Sequence, residues 1–276
     1  MVNLTKIQEQ RYLLHVYSAL CNGSSCYILR DLSRERSNSM IRNFIFKRGM
    51  KELNFGGTSE RVYERADYPA SKLASILGKD TLAVLGYGTQ GRGQALNMRD
   101  NLKKVQAAGG KTKVVLGLRK GASWDLALKD GWVPKKDLLE LDEACEKSTV
   151  IMNLLSDAAQ TTLWPQVNKH LQSGKKTLYF SHGFSVVYKD QTKVIPPKNI
   201  DVILVAPKGS GTTLRSLFLE GRGINASVAV FQDVSGKALE RALAIGTTVG
   251  AGYMYETTFQ KEVYSDLTGE RGVLMV

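Results

Sequence analysis

Near the end of the chain, Glu262, Asp266 and Glu270 stand at i, i+4 and i+8 in FQKEVYSDLTGERG. On a helix this spacing puts three carboxylates on one face, where like charges repel unless a cation compensates. Hard oxygen donors of this kind suit Mg²⁺, which takes one or two carboxylates and keeps several waters. The alternative is a solvated face whose acids pair with Lys261 and Arg271. Two further side chains follow compact apolar runs: His182 in SHGF after TLYF, and Lys208 in APKGSG after VILVA. An imidazole can move protons near neutral pH, and an ammonium can meet a negative oxygen. Each also has a plain reading, as a structural histidine and as a solvated turn lysine.

The elements that must position these groups begin at LAVLGYGTQGRGQAL, residues 82–96. The text is strand, tight turn, helix. In a GxGxxG spacing Gly86 allows the turn, Gly88 lets backbone approach a pyrophosphate, and Gly91 lets helix and strand pack closely. The amides at the helix start then face the anion. A second strand is expected about thirty residues on, and KVVLGL at 113–118 fits, followed by Arg119, Lys120 and Ser123. No acid ends that strand to take a ribose 2′-hydroxyl, whereas Arg119 suits a 2′-phosphate, so NADP(H) is expected over NAD. The alternative is that Arg119 and Lys120 form a solvated basic turn.

Further apolar runs follow at 149–155, 177–180, 202–206 and 227–231. Helices are expected over 73–77, 124–128, 138–145 and 259–275, with LKKVQAAGGKTK read as a surface connection and LNFGGTSERVYERADYP as a turn-rich approach. Alternating strands and helices imply an α/β fold, a Rossmann-type doubly wound parallel sheet covered on both faces. Ligands collect beyond the carboxyl ends of such strands. Ser156, Asp157, Gln160, Ser181, His182 and Lys208 all stand there.

At 276 residues with 43% hydrophobic content, the chain can bury a sizeable core. Its net charge of +12 suits anionic ligands. No aromatic-rich basic motif points to nucleic acid, and no run approaches the length of a membrane span. Cys21, Cys26 and Cys145 make neither a zinc pattern nor a disulfide framework, so a reducing compartment is expected. Residues 1–48 scatter Arg and Lys among Ser, Asn and Leu, a composition that fits a leader such as an organellar presequence, or a disordered segment.

The ordered motifs NFGGTSERVYERADYP, GYGTQGRGQALNMRDN, GASWDLALKDGWVP, MNLLSDAAQ, TLYFSHGF, DVILVAPKGSG, RSLFLEGRGIN and SDLTGERG resemble those of the ketol-acid reductoisomerases, with the fungal mitochondrial form as the nearest type. The resemblance implies an NADPH- and Mg²⁺-dependent enzyme of valine and isoleucine biosynthesis. Mg²⁺ would promote alkyl migration in 2-acetolactate or 2-aceto-2-hydroxybutyrate, and NADPH would reduce the product. It implies that Tyr87, Gly88, Thr89 and Gln90 line the pyrophosphate, that Arg119 and Ser123 take the 2′-phosphate, and that Asp157 and Gln160 lie near the adenosine. Gly211 would lie near the nicotinamide, His182 and Lys208 in the active site, and Asp266 and Glu270 on metal. Residues 49–257 would be the NADPH-binding domain and 258–276 the start of a truncated, knotted all-helical domain. That domain supplies most of the family's homo-oligomer interface and further metal ligands. The expectation is therefore either a working reductoisomerase or an inactive NADPH-binding fragment. A metal-free hydroxyacid dehydrogenase using Lys208 and His182 is a third reading. Fungal members carry Arg where this sequence has Thr212.

Overall fold

The computed structural model describes residues 50–269. The leader expected over 1–48 and the metal ligand expected at Glu270 lie outside them. The chain runs β1 (Met50–Phe55), β2 (Thr58–Glu64), a 3-10 turn (Arg65–Asp67), α1 (Ala70–Leu77), β3 (Thr81–Leu85), α2 (Thr89–Ala107) and β4 (Lys113–Gly117). It continues through α3 (Ala122–Lys129), β5 (Leu138–Leu139), α4 (Leu141–Lys147), β6 (Val150–Asn153), α5 (Asp157–Asn168), β7 (Thr177–Phe180), and the short α6 (Phe184–Val187) and α7 (Lys189–Thr192). Then come β8 (Asp201–Pro207), α8 (Gly211–Leu219), β9 (Ile224–Gln232), α9 (Ala238–Val249), β10 (Ala251–Glu256) and α10 (Phe259–Leu267).

Among the described residues ten strands join one sheet in the order β1-β2-β10-β9-β8-β7-β6-β3-β4-β5. From β5 to β8 every pairing is parallel. Taken alone, these six strands follow the order 3-2-1-4-5-6 of the dinucleotide-binding fold. Order reverses between β3 and β6, where Leu85 pairs with Asn153. Ligands bind at such a switch point. Successive side chains of a strand face opposite sides, and two cores result. Leu82, Val84, Met152, Tyr179 and Val205 pack with residues of α1, α2, α8 and α9. Ala83, Leu85, Ile151, Phe180 and Leu204 pack with residues of α4, α5, α6 and α10. Helices thus cover both faces, which is why β3, β6, β7 and β8 read as continuous apolar runs.

The expected parallel sheet is extended at one side by strands of mixed direction. β9 runs antiparallel to β8, and β10, parallel to β9, is antiparallel to β2. The turn-rich approach is a hairpin, Asn54–Ser59 pairing across Gly56 and Gly57, and both glycines take positive φ. Most of its described side chains are exposed, so it carries no apolar run to read. The first half of the expected surface connection LKKVQAAGGKTK is helix: Leu102 and Val105, three apart on α2, are buried, and the helix stops before Gly109 at φ 91°. The helix expected over 138–145 begins at Leu141, because Leu138 and Leu139 pair with Leu116 and Gly117 as the sheet's edge. Of the helix expected over 259–275, the described part is α10, capped by Thr258 Oγ1 accepting from Lys261 N at 3.1 Å.

Candidate active site

The glycines after β3 divide by what a side chain there would meet. Gly86 has φ 92°, and a Cβ would lie 2.7 Å from Leu154 O; at Gly91 it would lie 2.3 Å from Gly86 O. Both are required by the protein's own backbone. Gly88 has φ −70°, which any residue adopts, and a Cβ there meets nothing within 4 Å. Neither packing nor backbone conformation explains that glycine. A ligand approaching the backbone does. Gly88 is also the N-cap of α2 and offers no side-chain cap, which leaves the first helix amides for an anion.

Around this turn, Tyr87 is buried, its hydroxyl donating to Asp130 Oδ2 at 2.8 Å and accepting from Trp132 Nε1 at 2.8 Å. Its backbone, rather than its phenol, remains for the loop. Arg92 grips the same Asp130 with two bonds of 2.7 and 2.8 Å, and with that guanidinium as the largest cause the Asp130 carboxyl is held below its usual range. Gln90 reaches across the crevice to donate to Gly209 O at 2.8 Å. Gly211, at the start of α8, has its Cα against the Thr89 carbonyl, where a Cβ would come within 1.9 Å. The two helix N-termini therefore meet through glycine.

Arg119 follows β4 and Ser123 lies in the first turn of α3, both exposed. Among the described residues no carboxylate lies within 4 Å of Arg119. Asp157 opens α5 and is exposed, whereas Gln160 is buried, its amide donating to Leu155 O at 2.9 Å and its oxygen facing Asn153 Nδ2 at 3.4 Å. Gln160 shapes the loop after β6 from inside.

Beyond β7 and β8 the charged residues converge. His182 stacks on Phe184 with rings 6.2 Å apart. Its Nδ1 stands 3.3 Å from Glu262 Oε2 and 3.2 Å from Asp266 Oδ2, yet meets neither at hydrogen-bonding geometry. Lys208 Nζ donates to Glu262 Oε1 at 3.1 Å, and Gly183 N donates to Glu262 Oε2 at 3.1 Å. Burial disfavours the imidazolium, but Asp266 and Glu262 outweigh it and push His182 up to about 10. His182 in turn, as the largest cause, holds the Asp266 carboxyl below its usual range.

The structure thus brings together His182, Lys208 and Asp266, and adds Glu262, whose side chain is 0% exposed. The sequence offers Glu262 as one of three carboxylates on a face suited to Mg²⁺, while the resemblance puts only Asp266 and Glu270 on metal. The spacing of Glu262 to Asp266 was the available signal; Lys208, its partner from a different strand end, was not. The solvated face paired with Lys261 is corrected at this position, since Glu262 is buried against Lys208 and Gly183. Ligand atoms of His182, Glu262 and Asp266 lie within 4.8 Å of one another. The donor set fits Mg²⁺, because Asp266 supplies a hard oxygen from a half-buried position open to water, with Glu262 beside it.

A family model described as "Acetohydroxy acid isomeroreductase, NADPH-binding domain" matches residues 76–254. The mitochondrial ketol-acid reductoisomerase of Neurospora crassa is 59% identical over 229 residues, 83% of this chain and 54% of that protein. The probable mitochondrial ketol-acid reductoisomerase of Schizosaccharomyces pombe is 58% identical over the same shares, 83% and 54%. Among solved structures, an NADH-preferring ketol-acid reductoisomerase from an uncultured archean is similar with TM-score 0.64 and 36% identity, covering 76% of this chain and 60% of that one. The chain spans about half the length of the curated relatives it matches. With the reversal of strand order, the glycine turn and the family model all falling on one stretch, this chain belongs to the acetohydroxy acid isomeroreductase, or ketol-acid reductoisomerase, family.

Proposed function

We propose that this chain is the cofactor-binding part of a mitochondrial ketol-acid reductoisomerase that takes NADPH at the β3–β6 switch point and an acetohydroxy acid beside His182, Lys208 and Asp266. The observation that carries the reading is the meeting of an uncapped helix start at Gly88 with the charged cluster, linked by Gln90 donating to Gly209 O at 2.8 Å. Anion site and charged site share one end of the sheet. The mitochondrial names of the fungal relatives support the compartment.

In this reading the α2 amides hold the pyrophosphate, and Arg119 with Ser123 hold the 2′-phosphate. Asp157 lies toward the adenosine, and Gly211 toward the nicotinamide end. Lys208 meets the substrate's negative oxygens while Glu262 fixes its ammonium. His182, whose Nδ1 stands 3.2 Å from Asp266 Oδ2, lies beside that carboxylate. Asp266, with Glu270, would hold Mg²⁺. When bound, NADPH supplies the hydride, and Mg²⁺ supplies Lewis-acid stabilisation of alkoxide charge for the migration.

The test is NADPH oxidation by the purified 276-residue chain with 2-acetolactate, with and without Mg²⁺, in the parent and in Asp266→Asn. Mg²⁺-dependent oxidation lost in the variant, with NADPH binding retained, supports the whole reading. Oxidation that survives EDTA overturns it in favour of a metal-free dehydrogenase. NADPH binding without any oxidation restricts the reading to cofactor binding.

A further inference from the structure

Gln94 lies five residues beyond the start of α2, inside the first core, at 0% exposure. A buried amide costs stability unless it is hydrogen-bonded, and this one is bonded at both ends. Its Nε2 donates to Ser181 Oγ at 2.8 Å and to Gln90 Oε1 at 3.2 Å. Its Oε1 accepts from Tyr179 Oη at 2.9 Å. Tyr179 Oη and Ser181 Oγ are 3.1 Å apart.

Counting protons fixes the direction of the two amides. Gln90 Nε2 donates to Gly209 O, so its Oε1 faces Gln94 and must accept. Gln94 therefore presents its amide nitrogen to Gln90 and Ser181, and its oxygen to Tyr179; a flipped amide would set oxygen against oxygen. Tyr179 is fully buried, and burial pushes its phenol up, which keeps the hydroxyl protonated. The single phenol proton is shared between Gln94 Oε1 at 2.9 Å and Val205 O at 3.1 Å, and Ser181 Oγ, which accepts from Gln94, stands 3.1 Å from Tyr179 Oη, where either hydroxyl can donate. The result is a closed ring of Gln94, Ser181 and Tyr179, tied to the β8 backbone at Val205 O, a form in which hydrogen bonds polarise one another.

Three apolar side chains of the same volume would fill this space with similar stability. A polar ring adds fixed orientation. The ring and the bonds that lead from it reach the groups that matter: Gln90, bonded to Gln94, belongs to the anion loop, Gly209, bonded to Gln90, follows Lys208, and Ser181 precedes His182.

We propose that Gln94, closed into a ring by Tyr179 and Ser181, is a positioning residue that couples occupation of the anion loop to the placement of His182 and Lys208. This rests on the cofactor reading above. A phosphate group seated on the Gly88–Gln90 turn shifts the Gln90 side chain, and the shift passes through Gln94 to Ser181 and through Gly209 to Lys208, without contact between ligand and cluster.

The test uses NMR on the 276-residue chain with labelled histidine, of which there are three, and 2′-phospho-ADP-ribose, which lacks the nicotinamide ring. In the parent, this probe is expected to shift the His182 side-chain resonance and leave His170 in place. Gln94→Met, which keeps side-chain length, is expected to bind the probe within about threefold of the parent while the His182 shift falls below about half. An unchanged His182 shift in Gln94→Met, or none in the parent with bound probe, overturns the coupling. Tyr179→Phe removes one hydroxyl and serves the same test if Gln94→Met fails to fold. Absence of probe binding would refute the cofactor reading instead. The ring is then read without ligand: Gln90→Ala is expected to move the Ser181 amide resonance, and an unmoved resonance overturns the ring.

Discussion

Alanine at two of the motif glycines, Gly88 and Gly91, separates a ligand requirement from a packing requirement. At Gly91 a Cβ would stand 2.3 Å from Gly86 O, about an ångström inside ordinary contact, with backbone on both sides and no flexible side chain to yield. Overpacking of this kind costs about 1–3 kcal/mol. For a domain of this size each kcal/mol lowers Tm by about 2–4 °C, so Gly91→Ala is expected to lose about 2–12 °C. At Gly88 a Cβ meets nothing within 4 Å and φ is −70°. Gly88→Ala is therefore expected to keep its Tm or gain slightly, through reduced freedom of the unfolded chain, worth about 0.4–1 kcal/mol. The same methyl would stand where backbone and pyrophosphate approach, and about 1–3 kcal/mol lost there weakens NADPH binding by about 5- to 150-fold. Thermal unfolding and an NADPH fluorescence titration on parent, Gly88→Ala and Gly91→Ala read both quantities. Parental NADPH affinity in Gly88→Ala would refute the reasoning, as would a loss of Tm equal to that of Gly91→Ala.

Three other outcomes follow from single contacts. Arg119→Glu places a carboxylate where a 2′-phosphate is expected, and should weaken NADPH binding by about tenfold or more while changing NADH binding by less than about threefold; equal effects in parallel titrations remove Arg119 from that role. Glu262→Gln leaves Lys208 and His182 without their buried anion and should cost about 2–3 kcal/mol in urea unfolding, less than a fully enclosed pair because Lys208 is 25% exposed; a cost near zero contradicts the buried pair. The Asp130 carboxyl is held down by Arg92 first and Tyr87 among the lesser causes, so its folded pKa lies below its unfolded one. Its stabilisation is full above about pH 4 and is lost as pH falls through the folded value. The cost of Asp130→Asn should then be present at pH 6 and shrink toward pH 3, and a cost that does not vary with pH would oppose this sign.

Strands buried on both faces were legible because such segments are apolar at every position, as in VILVA of β8. Direction was not legible: nothing local in SVAVF states that β9 runs against β8, since pairing sense depends on a partner two elements away. The β1–β2 hairpin and β10 were hidden for a different reason, as TSERVYE and AGYMYE mix exposed and buried positions at the open side of the sheet. In the candidate site, the glycine turn, His182 and Lys208 could be picked out from type and from place after a strand, and Asp266 from its spacing on an acidic helix face. The burial of Glu262 could not, because a carboxylate enters a protein only with its partners, and here those come from Lys208 and Gly183. Gly211 was named from resemblance, while its reason, contact with the Thr89 carbonyl, belongs to two helices more than a hundred residues apart.

The central claim, that the crevice between β3 and β6 is a nucleotide site with a preference set by Arg119, is met most directly by calorimetric titration of the 276-residue chain with NADPH and, separately, NADH. The account predicts one saturable site with NADPH bound more tightly. No saturable binding of either nucleotide would contradict it.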